Sequence, residues 1–125
     1  MYDEHGKYVV TVEGNLIIVT LEGSFNDYGI KKCIDQIKGA IEGLEVGFYM
    51  LMKCSDMMGS TPESFAEVEK FNKWLNTQNM IAKAMVLTYT TTWDIINTRV
   101  PSIESQNIRS FDNESEAMDW LMAQS

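Results

Sequence analysis

Two periods of apolar residues alternate along this chain. Tyr8 to Glu13 alternates at every second position and is rich in valine, Gly14-Asn15 is a two-residue turn, and Leu16 to Glu22 is again β-branched. That pattern predicts a β-hairpin. Its first strand has the mixed polarity of a sheet edge. Its second is apolar on both faces at Leu16, Ile17, Ile18 and Val19, which places it inside the sheet. Gly23 to Asp27 reads as a loop that ends at a helix start. Ile30, Ile34, Ile37, Ile41 and Leu44 then recur at steps of four and three, one core-facing stripe of a helix. Lys31, Lys32, Asp35, Lys38 and Glu42 fill its other side, and Gly43 suits its end.

The bulky run Val46 to Met52 predicts a third strand, followed by an irregular stretch from Lys53 to Pro62. Ser60 with Glu63 forms a capping-box pattern, Pro62 fits a first helical turn, and Thr61 is a competing cap. The second helix carries Phe65, Val68, Phe71 or Asn72, and Leu75 on one side. Met80 to Thr90 predicts a fourth strand. A threonine turn at Thr90 to Thr92 follows, then a short amphipathic piece, Trp93 to Val100, which Pro101 interrupts. Asn107 to Phe111 is a short fifth strand. Asp112 or Asn113 caps a last helix whose apolar face is Ala117, Trp120 and Leu121.

Strands alternating with helices predict an α/β domain with a mainly parallel five-stranded sheet, and the hairpin adds one antiparallel edge strand. Parity within strands bears on where the helices lie. In the third strand Val46, Phe48, Met50 and Met52 oppose Tyr49, Leu51 and Lys53. In the fourth, Ala82, Ala84, Val86 and Thr88 oppose Lys83, Met85, Leu87 and Tyr89. One side reads as cleanly apolar, and the other mixes tyrosine, lysine and methionine. If the helices lie on one side, the mixed face is left to close a homodimer or take an apolar ligand. The alternative is burial under a remaining helix.

At 125 residues with 45% apolar content, the chain has the size of one domain with its own core, residues 1–125, and is not a disordered chain. Its net charge of −8 gives no phosphate-tracking surface, so nucleic acid is not an expected partner. The start, Met1 to His5, is acidic where a signal peptide is basic, and no apolar run is long enough to span a membrane. Two cysteines without close spacing, Cys33 and Cys54, read as reduced thiols in a cytoplasmic protein. The single histidine, His5, falls in a terminal stretch expected to be loose, which removes most histidine-dependent catalysis and metal binding. No phosphate-binding glycine motif occurs. No cofactor is expected.

The opening hairpin from Tyr8 to Gly23, the element order, and the ending Ile108-Arg-Ser-Phe-Asp-Asn-Glu-Ser-Glu-Ala-Met-Asp-Trp-Leu121 resemble the STAS-like group, in its SpoIIAA-like branch. The resemblance spans nearly the whole chain, and its motifs are structural. It implies a mixed, mostly parallel sheet with helices mainly on one face, a βα superhelix. It also implies a regulatory role, because anti-sigma factor antagonists of this group are switched by phosphorylation at the start of the helix after the third strand. Their motif there is Asp-Ser, then Ser, Thr or Ala, then Gly. This chain instead reads Cys54-Ser-Asp-Met-Met-Gly-Ser-Thr61, so the Asp-Ser order is absent and glycine precedes the hydroxyls. The similar folds of the Sec14 lipid-transfer group imply an apolar ligand.

Two candidate sites follow. The first is the Ser55 to Thr61 segment, where Ser55, Ser60 and Thr61 are candidate phosphoacceptors or, more simply, helix caps. Met57 and Met58 beside them are either core plugs or an adaptable contact surface. The second is an apolar pocket lined by Phe25, Tyr28, Met57 and Trp93 near the carboxyl ends of the strands. Asp27, Asp56 and Asp94 also follow strands, where caps and turns explain them better than a metal does. The expected protein is a non-enzymatic module that contacts a protein partner or a second copy of itself. The alternative is a carrier or sensor of a small apolar molecule.

Overall fold

The computed structural model describes residues 5–124. The expectation drawn from Met1 to Glu4 lies outside them. Strands β1 (Lys7–Glu13) and β2 (Leu16–Phe25) form the hairpin around Gly14, whose φ of +61° suits the tight turn. The chain continues through α1 (Asp27–Glu42), β3 (Phe48–Ser60), α2 (Pro62–Leu75), β4 (Met80–Val86) and α3 (Thr90–Arg99). A 3-10 turn (Pro101–Ser105), β5 (Ile108–Phe111) and α4 (Glu114–Met122) complete it. The sheet runs β1-β2-β3-β4-β5. Its first pair is antiparallel and the other three are parallel. No helix of the described residues is long and apolar enough to cross a membrane.

Helices cover the two faces unequally. Ile30, Ile34, Ile37 and Ile41 of α1, Phe71 and Leu75 of α2, and Ile96 of α3 pack on Ile17, Val19, Met50 and Met85. This layer is the main core. On the opposite face α4 packs alone, with Ala117 and Leu121 against Leu16, Leu51, Ala82, Ala84 and Val86. The small alanines of β4 let that helix approach closely, and the Tyr49 hydroxyl donates to the carbonyl of Gln124 at 2.9 Å.

The register corrects the grouping of faces. Met50 pairs with Lys83 and Leu51 with Ala84. Hence Met50 and Met52 share a face with Lys83 and Met85, under three helices. Ala82, Ala84 and Val86 share theirs with Tyr49 and Leu51, under α4. The lysine-bearing side of β4 is therefore the main core, and no open mixed face of the kind considered above exists there.

Four local expectations also change. The irregular stretch after Lys53 is strand: β3 continues to Ser60 because Asp56, Met57, Gly59 and Ser60 pair with Glu22, Gly23, Ser24 and Phe25. Thr61, not Ser60, caps α2, its hydroxyl accepting from the Ser64 amide at 3.1 Å. Thr90 to Thr92 form the first turn of α3, and β4 ends at Val86. His5 is tied down, its backbone amide donating to Asn26 Oδ1 at 3.1 Å. The same oxygen caps α1 by accepting from the Gly29 amide at 2.9 Å. Gly29 is required there, because a Cβ at that position would collide with the His5 carbonyl. Asn113 is the cap of α4 and accepts from the Glu116 amide.

Candidate functional site

The site exists because β3 outruns β4. The two strands pair only as far as Lys53 with Val86, while β3 runs on to Ser60 beside β2. Beyond that point β4 turns away, and the last tie across the gap is the Thr88 hydroxyl donating to the Ser55 carbonyl at 2.8 Å. The free side of β3 and the facing side of α3 then enclose an open cleft of about 940 Å3 at the carboxyl ends of the strands. Three exposed apolar side chains line it: Met58 (82% exposed), Tyr89 (68%) and Ile95 (50%). Its polar lining comes from Ser55, Asp56, Ser60 and Arg99 together with Thr88, Thr92 and Thr98.

Beneath the cleft lies a chamber of about 80 Å3 between the sheet and α1, α2 and α3. Met57, Ser60, Phe65 and Ile96 line both spaces and form the partition between them. The chamber lining is mostly apolar, with Ser60 and Asn72 as polar members and one ionisable amine, Lys83, which is only 4% exposed. Its Nζ donates to Asn72 Oδ1 at 2.7 Å. Gln106 Nε2 donates to the same oxygen at 3.0 Å and to Asn76 Oδ1 at 2.9 Å. Asn72 Nδ2 in turn donates to the Val68 carbonyl.

Among the described residues no carboxylate lines the chamber. Burial therefore lowers the Lys83 ammonium to about 7, with a small opposing pull from Cys54. Burial pushes the thiols of Cys33 and Cys54 up to about 12, so both are protonated at neutral pH.

The first candidate segment is thus a cleft wall. Ser55 is exposed on it, and Ser60 is half-buried at the partition. The Thr61 hydroxyl is engaged as a cap. Met57 packs against the core while Met58 projects outward. The second candidate set does not assemble into one pocket. Phe25 is buried in the main core, with Gly6 packed so close that a Cβ there would strike its ring. Tyr28 is exposed on α1. Trp93 lines a separate recess with Tyr89 and Phe111, and only Met57 reaches the chamber and the cleft. Asp27, Asp56 and Asp94 lie on α1, β3 and α3, and among the described residues no group able to hold a metal ion comes together.

Lys83 and Asn72 are the site residues the sequence reading passed over. Their signals were a lysine inside the apolar run Ile81 to Val86 and an asparagine on the apolar stripe of α2.

No family model matches the chain, and no curated protein matches it in sequence. Solved structures do. An uncharacterized protein of the DUF3478 family with a SpoIIAA-like fold, from Shewanella loihica PV-4, aligns with a TM-score of 0.71 at 13% identity, over 97% of this chain and 98% of that one. The anti-sigma factor antagonist SpoIIAA in its unphosphorylated form aligns with a TM-score of 0.63 at 11% identity, over 94% of this chain and 99% of that one. The fold is therefore SpoIIAA-like.

Proposed function

We propose that this chain is a non-enzymatic binding module and that the cleft beside β3 and α3 is its contact surface for a protein partner. The observation that carries the reading is the gathering of Met58, Tyr89 and Ile95, all exposed, around one open concavity. Exposed apolar groups clustered in this way mark contact sites, and a flexible methionine at the rim adapts to a partner's shape. The likeness to SpoIIAA, an anti-sigma factor antagonist, supports a regulatory role through the fold alone. Ser55 and Ser60 are the hydroxyls at which a phosphate would add charge to the cleft, beside its one lining cation, Arg99. The uncovered edge of β1, with Val9 and Val12 exposed, is the corresponding surface for a second copy. A binding role rather than nucleophilic catalysis fits two thiols held neutral by burial and a histidine lodged at the start of α1.

The test uses immobilised wild-type protein with Met58→Asp, Ile95→Asp and, as a control in the connection before β3, Val46→Asp. All three positions are exposed, so stability should change by less than about 0.5 kcal/mol. A partner held by wild type and by the control should bind each cleft variant about tenfold more weakly, or about 1.4 kcal/mol. Partners that bind both cleft variants undiminished would exclude the cleft as the contact surface.

A second reading, a carrier or sensor of a small apolar molecule, is favoured by the chamber and its buried amine. Native mass spectrometry of the folded protein would then show a stoichiometric small molecule.

A further inference from the structure

We propose that Lys83 captures a small apolar aldehyde or ketone reversibly, as an imine formed inside the chamber. The proposal rests on the second reading, that the chamber admits a small molecule, and is independent of any partner at the cleft.

Geometry makes the case. Lys83 lines the chamber, and among the described residues its Nζ has one hydrogen-bond acceptor, Asn72 Oδ1. That oxygen already receives Gln106 Nε2, so both its lone pairs are used. An ammonium needs three acceptors or a counter-ion, and a neutral amine needs one. The surroundings therefore satisfy the neutral, nucleophilic form. The titratable groups facing it are Cys54 from β3 and Cys33 from α1. Among the described residues the chamber lining brings no carboxylate from α1, α2, α3 or the sheet.

Size and charge define the ligand. A chamber of about 80 Å3 is roughly half the cavity known to hold benzene, which leaves room for about three heavy atoms. A carboxylate of that size would have to leave water for an apolar enclosure, at a large desolvation cost that a neutral carbonyl avoids. The step balances without redox chemistry. The amine nitrogen attacks the carbonyl carbon, and a proton moves from nitrogen to oxygen to give a carbinolamine. The hydroxyl then departs with a second nitrogen proton as water, leaving a carbon–nitrogen double bond. The arrangement supplies capture, with no group placed for turnover.

The test uses the folded wild-type protein with acetaldehyde as the probe and cyanoborohydride to reduce any imine to a stable N-ethyl lysine, read by peptide mapping. At pH 7 Lys83 should be modified at least about tenfold faster than the part-exposed Lys53, because far more of its amine is neutral than at an ordinary lysine near 10.4. From pH 6 to pH 8 labelling of Lys83 should rise about tenfold, as the neutral fraction of an amine at about 7 does over that range. The preference should vanish in urea. Labelling of Lys83 no faster than Lys53 in the folded protein overturns the proposal. A native spectrum with a bound small molecule but an unmodified Lys83 also overturns it, while leaving the carrier reading intact.

Discussion

A lysine surrounded by isoleucine, methionine and cysteine is a liability at neutral pH, and its neighbours limit the damage. Lys83 keeps one hydrogen bond and titrates near 7, whereas in an unfolded chain it titrates near 10.5. Between those values the unfolded chain binds more protons than the folded one, so stability rises with pH. Below 7 both states are protonated and the contribution is absent. From pH 7 to 9 the gain should be about 2 kcal/mol. Above 9 the thiols oppose it, because Cys33 and Cys54 stay protonated when folded and ionise when unfolded. Lys83→Met should abolish the rise between pH 7 and 9 and stabilise the protein at pH 7 by about 2 kcal/mol. Asn72 Oδ1 would still receive Gln106, so no acceptor is orphaned. Urea denaturation of both proteins at several pH values checks this, and parallel pH profiles would contradict it. Both cysteines should resist a soluble disulfide reagent until the protein unfolds. Rapid labelling of the folded protein would show that the burial is not maintained in solution.

At the scale of elements, neighbours decide where secondary structure stops. The segment Ser55 to Ser60 has weak β-propensity, and glycine and serine favour turns. It is strand because Glu22 to Phe25 offers it backbone partners, and that pairing is set across the fold. Helix starts were more legible, since an asparagine or threonine three residues before a free amide satisfies it locally. Thr61 and Asn113 do this for Ser64 and Glu116; α1 is capped one residue before the expected start at Asp27, by Asn26, which accepts from the Gly29 amide and also from the distant His5 amide. Asn26→Ala should cost about 1–2 kcal/mol and release the segment before β1, seen as faster hydrogen exchange at the His5 amide. The docking of α4 rests on Leu121, which is fully buried between the helix and the alanines of β4. Leu121→Ala should cost about 2–5 kcal/mol in denaturant melts. A loss under 1 kcal/mol would mean that α4 is not fixed to the sheet as described.

For the whole molecule, the decisive quantity is the register between strands, and a single chain does not display it. Parity within β3 and within β4 is plain from the residues, but which parity of one matches which of the other depends on how the strands slide together. Met50 meets Lys83, and the lysine goes under three helices instead of toward the opposite face. The same uncertainty scattered the pocket of Phe25, Tyr28, Met57 and Trp93, residues each near a strand end or helix start whose side chains point into different spaces. The element order, the antiparallel edge hairpin and the parallel interior were determined by the sequence alone, because periodicity, turn residues and caps act over a few positions; the SpoIIAA-like fold was expected from the resemblance of the hairpin and the closing segment and is shown by the solved structures. The length of β3, the open cleft left where β4 turns away, and the enclosure of Lys83 were decided only by tertiary structure. Those features depend on pairing and packing between residues well separated in the chain, as Ser55 and Thr88, 33 positions apart, show.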